Sequence, residues 1–166
     1  MEKIYLLDEC KEAKYILISG HVRPDGDCTG SCLAMYLYLK KALPTTKVQL
    51  CLEKPSEVFQ CIQDFNKIDS TYIVDGDIDV FIALDCEKSR LGEAEEIFAK
   101  AKKRINIDHH VSNKQGCGDI NYVNPEMSSA TLLTSTYLQE RRLTLYSRFP
   151  IAYIKIAHST PFVTRS

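Results

Sequence analysis

Histidine and aspartate residues are concentrated in one stretch of the chain, residues 21–31, with the sequence HVRPDGDCTGS. His21, Asp25 and Asp27 bring one imidazole and two carboxylates close together. Two neighbouring carboxylates repel each other unless a positive charge lies between them, and a divalent cation commonly supplies that charge. The stretch therefore predicts a metal site, although Pro-Asp-Gly is also a strong turn former and the motif alone could be only a turn.

Two more groups of the same residue types occur later in the chain. Asp85 directly follows the apolar run VFIAL, and the triplet Asp108, His109 and His110 follows the short run RINI. Taken singly, Asp85 could cap a helix and the triplet could be a surface loop. Because open α/β sheets bind their ligands outside the carboxyl ends of the strands, we expect all three groups to converge on one crevice.

Short apolar runs alternate with helical patterns around these groups. We predict a short helix or entry segment within residues 1–13 and place the other elements as follows: strands at 15–20, 47–52, 71–74, 80–84 and 104–107, and helices at about 30–42, 55–65, 91–103 and 129–140. Ser128 is placed to cap the last helix. The alternation predicts an α/β fold with three layers, in which a mostly parallel, Rossmann-like sheet is flanked by helices.

Composition narrows the classes of partner. The 166 residues suit one domain, and the net charge of −1 gives no general attraction to nucleic acid or to anionic membranes, so phosphate binding would need a local site. No apolar run approaches the roughly 20 residues of a membrane span. Without a signal-peptide pattern, we expect a cytoplasmic protein with no membrane partner. The seven cysteines are expected to be free thiols, and Cys28 and Cys86 to be small core residues.

The ligand types indicate which metal and which reaction to expect. Imidazole and carboxylate ligands favour Mn²⁺, with Mg²⁺ or Co²⁺ as alternatives. The ligands are too many for one ion, so Asp25 and Asp27 can face different ions while Asp85 bridges them. Two ions about 3.5–4 Å apart clamp the attacking and leaving oxygens of a displacement at phosphorus, with a hydroxide between them as nucleophile. Arg23 and a loop around Gly30-Ser31, at a helix N-terminus, could bind phosphate oxygens.

These motifs resemble the DHH phosphoesterase superfamily. The resemblance rests on HxxPDGDxxGS, the isolated Asp85, IDHH at 107–110 and the Asn-Pro to Ser-Ser-Ala-Thr segment at 124–131. It is most similar to the nano-RNase/pAp-phosphatase branch, the bifunctional oligoribonucleases. Those enzymes shorten very small oligoribonucleotides and dephosphorylate 3′-phosphoadenosine 5′-phosphate (pAp). The resemblance implies such a substrate, and it is compatible with a homodimer.

The resemblance also implies a role for each candidate residue. His21 and Asp25 would hold one Mn²⁺, Asp27 and His109 the other, and Asp85 would bridge the two ions. His110 would meet the substrate phosphate. Asp108 would orient the histidine pair from behind, as outer partners of metal ligands do.

The chain departs from the family towards its end. We expect the DHH catalytic domain over residues 1–140, an atypical tail at 141–166, and no C-terminal substrate-binding domain. In the tail, Ser159 stands where the family motif GIxxDTGxF has a ligand aspartate, so weak activity or none is expected of this chain. Two alternatives stay open: a manganese inorganic pyrophosphatase, which shares the motifs, and a non-catalytic remnant that binds metal or nucleotide.

Overall fold

A computed structural model describes residues 6–130 and residue 134 of the chain. The described part contains six strands and three helices, which follow the chain in this order: α1 Leu6–Cys10, β1 Tyr15–Ser19, α2 Gly26–Ala42, β2 Lys47–Cys51, β3 Ile68–Asp69, β4 Val80–Leu84, α3 Ala94–Lys100, β5 Lys103–Asp108 and β6 Ile120–Val123. Every residue of β1 and of β4 is buried, as their unbroken apolar runs predict for central strands of a parallel sheet.

All six strands are parallel, in the order β3-β2-β1-β4-β5-β6. From β1 the chain proceeds outward through β2 and β3 and then returns to form β4 on the other side of β1. The strand order therefore reverses between β1 and β4, and the carboxyl ends of these two strands flank the crevice in which such sheets bind ligands.

Helices cover both faces of the sheet. On one face, Ile16 and Ile18 of β1 belong to the same core as Leu33 of α2. On the other face, Phe81 of β4 packs edge-to-face against Phe98 of α3, with their ring centroids 5.1 Å apart. The predicted three-layer α/β fold with a parallel sheet is confirmed.

Four predicted strands, at β1, β2, β4 and β5, are found within two residues of their predicted ends. The predicted helix at 55–65 is wrong: this segment contains a 3₁₀ turn at Glu57–Phe59, and another follows at Phe65–Lys67. Beyond Pro55, Ile62 is the one buried residue of this segment, so a helix would have almost no apolar face to bury. Asp64 also has a left-handed backbone, which a helix does not accept.

Three smaller predictions also need correction. The strand predicted at 71–74 is absent, because Tyr72 has a positive φ of 53° and the edge strand is β3 instead. The strand β6 was missed because its four residues follow a segment rich in glycine and asparagine. The helix predicted at 91–103 is confined to α3, preceded by a 3₁₀ turn at Lys88–Arg90.

The end of the chain gives less to compare. Ala130 has a helical backbone, but most of the helix predicted at 129–140 lies outside the described residues. The tail at 141–166, with Ser159, lies outside them entirely. Over the part that is described, no helix combines the length and the apolarity that a membrane span requires.

Candidate metal centre

The three predicted groups of polar residues meet at one edge of the sheet. His21 lies just beyond β1, Asp85 follows β4 directly, and Asp108 is the last residue of β5, with His109 after it. Since β1, β4 and β5 are adjacent and parallel, their carboxyl ends lie side by side. The convergence expected from the sequence is therefore present in the structure.

Asp85 is at the middle of this cluster. Its Oδ2 lies 3.6 Å from His21 Nε2, and its Oδ1 lies 3.3 Å from His109 Nε2. The side chain is only 2 % exposed, and Oδ1 has no hydrogen-bond partner in the described part of the chain. A buried carboxylate is costly unless a charge compensates it, so this oxygen is well suited to a cation. The residue has a φ of 58°, a conformation that occurs mainly at turns and functional sites.

His21 and His109 are oriented in the same way. Nδ1 of His21 contacts the carbonyl of Val22 at 2.8 Å, and Nδ1 of His109 contacts the carbonyl of Met127 at 3.3 Å. Because a carbonyl can only accept, Nδ1 carries the proton in both rings, and both Nε2 atoms face Asp85. A ring with one nitrogen tied to a carbonyl and the other directed at carboxylates has the arrangement typical of a metal-binding histidine.

Asp25 determines where α2 begins. Its Oδ1 accepts hydrogen bonds from the backbone N–H groups of Asp27 and Cys28, both at 3.0 Å, so Asp25 is the N-cap. The helix predicted to begin at about residue 30 begins four residues earlier, at Gly26. The expected phosphate-binding loop around Gly30-Ser31 is also wrong, since these residues lie inside α2 and the buried Ser31 hydroxyl donates to the Cys28 carbonyl.

Asp25 and Asp27 face different histidines. Oδ1 of Asp25 lies 3.8 Å from His21 Nε2, whereas Oδ2 of Asp27 lies 3.5 Å from His109 Nε2. Oδ2 of Asp27 also accepts a hydrogen bond from the N–H of Ala130 at 2.8 Å, which links α2 to the segment after β6. Each carboxylate thus forms one side of the cluster with its own imidazole, and Asp85 lies between the two sides.

Asp108 positions His109 and His110 through hydrogen bonds. Its buried carboxylate accepts hydrogen bonds at Oδ1 from the N–H groups of His109 and His110 and, at 2.7 Å, from His110 Nδ1. The bond to Nδ1 requires the proton on that nitrogen, which leaves Nε2 of His110 as the acceptor. His110 is 37 % exposed, so the unbound side of its ring can reach a ligand in the crevice.

Two buried amides that belong to none of the sequence motifs, those of Asn106 and Asn113, hold Asp108 in place. Nδ2 of Asn113 donates to Asp108 Oδ2 at 2.7 Å and to Asn106 Oδ1 at 2.9 Å. Nδ2 of Asn106 donates in turn to the carbonyl of Cys86 at 3.0 Å. In the sequence, Asn106 is noticeable only as a polar residue within the run that forms β5. Its partner Asn113 follows no local pattern and gives no signal.

Contacts within the cluster shift the pKa values of its own side chains. Burial disfavours the charged form of His21, but the contacts with Asp25 and Asp85 outweigh it and raise the pKa of His21 to about 12. The same contact with His21 lowers the pKa of Asp25 to about 2. The pKa of His109 is raised, chiefly by Asp85. Burial raises the pKa of Asp85, but the contacts with His109 and His21 outweigh it and leave that pKa below its usual value. The carboxylates therefore favour a positive charge at both imidazoles, and a bound cation would supply positive charge at the same place.

Arg23 lies at the exposed rim of the same loop. Its backbone has a φ of 53°, and its N–H donates to Glu53 Oε2 at 2.8 Å. A non-glycine residue in this conformation is held by its surroundings, here by the contact with Glu53. That Arg23 contacts phosphate oxygens stays a prediction.

The residues present fit divalent cations. Ligand atoms of Asp85, His109 and His110 lie within 4.8 Å of one another, and Asp85 Oδ1 has no hydrogen-bond partner among the described residues. Oxygen and imidazole donors of this kind suit Mn²⁺ and its neighbours. The assignment of individual residues to two ions stays a prediction.

Comparison with known proteins identifies the family. A crystal structure of an exopolyphosphatase-related protein from Bacteroides fragilis is similar, with a TM-score of 0.69 and 26 % sequence identity. The match covers 79 % of this chain but 41 % of the other, so the chain spans less than half of that protein. A search of curated proteins found no match. Residues 15–157 match the N-terminal domain of the DHH family, and the chain therefore belongs to the DHH family.

Proposed function

We propose that this chain is the catalytic part of a two-metal phosphoesterase that hydrolyses short oligoribonucleotides, pAp, or both. The observation that carries the proposal is the symmetric arrangement around Asp85, with the Nε2 atoms of His21 and His109 on its two sides. Bound divalent cations would supply positive charge for the attack of water on phosphorus. The DHH family and the phosphatase-related neighbour support the class of reaction.

Each group of residues has a defined part in this proposal. His21 with Asp25, and Asp27 with His109, hold the two sides of the centre, and Asp85 lies between them. His110, whose Nδ1 is engaged by Asp108, presents its other ring nitrogen to the phosphate. A protonated ring there would donate to a phosphate oxygen, and Arg23 at the rim would neutralise a second one.

A second candidate is a manganese-dependent hydrolase of phosphoanhydrides such as inorganic pyrophosphate. The name of the similar solved protein, which is described as exopolyphosphatase-related, favours this alternative. Both candidates use the same centre, and they differ in what lies beyond the phosphate that is attacked. A nucleotide substrate needs a site for its base or sugar, whereas pyrophosphate does not.

The test compares pAp, a diribonucleotide and pyrophosphate at equal concentration with added Mn²⁺. We expect the wild-type chain to hydrolyse the nucleotides in a Mn²⁺-dependent way, Asp85→Asn to lose this activity, and the exposed Asp77→Asn to keep it. A higher rate on pyrophosphate would favour the second candidate.

A further variant keeps the test decisive if turnover is slow. Ser159→Asp supplies the carboxylate that the family motif has at this position, and we expect it to raise the rate. If both chains bind Mn²⁺ but neither hydrolyses any of the three substrates, the chain is a binding protein and the proposal fails.

A further inference from the structure

We propose that Cys28 forms, with His21 and Asp85, a position in this centre that selects thiophilic cations such as Zn²⁺ and Cd²⁺. The inference rests on the proposed function in one respect, because it concerns the ions that the same centre accepts. Cys28 is predicted to be a small core residue, and its side chain is fully buried. The structure adds that this thiol lies against the metal-ligand candidates.

The geometry brings three different donor atoms together. One ligand atom from each of His21, Cys28 and Asp85 lies within 4.8 Å of the other two, and all three side chains are buried. Zinc binds sulfur at about 2.3 Å and nitrogen or oxygen at about 2.0–2.2 Å, so donors at such separations need only small shifts to share one ion.

The local backbone places the thiol in this position. Cys28 lies in the first turn of α2, where its N–H is bound by the capping carboxylate of Asp25. Its sulfur packs against Gly20, where an added Cβ would lie only 2.3 Å from it. The close approach of α2 to the end of β1 therefore depends on a residue without a side chain at position 20.

Two other observations point to a cation rather than to simple packing. The Nδ1 atom of His21 is engaged by the Val22 carbonyl, so its Nε2 is the free ligand atom and lies 3.6 Å from Asp85. Asp85 is 2 % exposed, so its carboxylate is buried beside Cys28 and His21, and it is Oδ2 that faces His21. A neutral thiol cannot compensate that carboxylate, but a cation bound by all three groups would.

The donor set determines the preference. Thiolate is a soft ligand that selects Zn²⁺ and similar ions, whereas Mn²⁺ prefers oxygen and imidazole. On coordination the thiol loses its proton to solvent. Because His21 and Asp85 are shared, an ion held by Cys28 displaces Mn²⁺ from this side of the centre.

The test is a Cd²⁺ titration of the reduced, metal-free 166-residue chain, followed by the ultraviolet sulfur-to-cadmium charge-transfer band. A Cys61→Ser background removes the exposed thiol. We expect a band that saturates at one equivalent. We expect this band to disappear in Cys28→Ala, and the affinity of that variant for Cd²⁺ to fall by at least about tenfold. Cys32→Ala is the matched control, since Cys32 is also buried on α2, one turn further on, and lies outside the donor group.

A band that survives in Cys28→Ala, or that is lost equally in Cys32→Ala, overturns the inference. Far-ultraviolet circular dichroism checks the fold, and Cys28→Ser, which keeps the size of the side chain, repeats the test if the alanine variant does not fold. Mn²⁺-dependent hydrolysis by the wild-type chain is measured separately without Cd²⁺. Absence of hydrolysis with a Cys28-dependent band would contradict the proposed function alone, and hydrolysis without such a band would contradict this inference alone.

Discussion

The metal centre has a strand side, at the ends of β4 and β5, and a helix side, at the start of α2, and these two sides are built differently. Asp85 and Asp108, at the ends of β4 and β5, are buried, and Asp108 accepts hydrogen bonds at both oxygens from fixed neighbours. Asp25, on the α2 side, is 66 % exposed and is held by the first turn of a helix. One side is thus preorganised by a buried polar network, and the other is positioned by a helix cap in contact with water.

The difference indicates which residues set the position of a cation and which adjust to it. Asp108, which is buried and bonded at both oxygens, has little freedom, because any movement leaves a polar atom unpaired, and Asp85 is confined by its burial. An exposed carboxylate can change its rotamer at low cost. We infer that the β4 and β5 side fixes the geometry and that Asp25 closes the coordination.

The largest expected effect comes from the buried side. Asp85→Asn removes the charge shared by both imidazoles, and we expect Mn²⁺ affinity to fall by at least about 100-fold, measured by calorimetry. Asp25→Asn removes the charge of the exposed side and should cost about tenfold. Equal losses in the two variants would contradict the difference between the two sides.

The second prediction concerns the hydrogen-bonded network of Asp108, Asn106 and Asn113 that holds His110. Asn113→Ala removes the donor to Asp108 Oδ2, and it leaves Asn106 Oδ1 and the Cys86 carbonyl with one donor each, the N–H of Cys117 and Nδ2 of Asn106. We expect the free energy of unfolding to fall by about 2–3 kcal/mol in urea titrations, since buried unpaired groups are costly. Asn121→Ala, which breaks exposed bonds to Gly118, is the matched control and should cost under about 1 kcal/mol.

The third prediction separates the two tasks of Asp25. Asparagine is as good an N-cap as aspartate, so Asp25→Asn should lose only the modest contribution of the charge opposite His21 in the metal-free chain, whereas Asp25→Ala should lose about 1 kcal/mol more. Thermal unfolding without metal measures this difference. If the asparagine variant is as unstable as the alanine variant, the charge opposite His21, and not the cap, is what stabilises α2.

The smallest effect is a dependence of stability on pH. The pKa of His21 is raised from 6.5 to about 12 in the folded, metal-free chain. A pKa that is higher in the folded state than in the unfolded state stabilises the folded chain. This contribution is complete at a pH below the unfolded-state pKa, and it is lost as the pH rises towards the folded-state pKa. Urea titrations from about pH 6 to about pH 9 should show a modest decline, because solvent screens the exposed Asp25. His21→Gln should flatten the decline, and an unchanged slope would contradict the pairing.

The sequence predicts the parts of the centre that depend on local patterns. Asp85 stands directly after an apolar run and Asp108 after a short run with two isoleucines, so their place at strand ends follows from the chain itself. The buried bond between Asn106 and Asn113 depends on how β5 and the following turn pack, and no local pattern encodes it. The start of α2 was misplaced for a related reason, since Asp25 was interpreted only as a ligand and not also as a cap. The role of Ser159 stays a prediction.

The strand order also has a consequence for the kinetics of folding. His21 and Asp85 lie at the ends of neighbouring strands, β1 and β4, yet β2 and β3 separate those strands along the chain. Parallel pairings of this kind close long loops and form slowly. The centre can therefore assemble only late, after the central strands have paired, and a cation that binds it should slow unfolding while leaving the folding rate nearly unchanged.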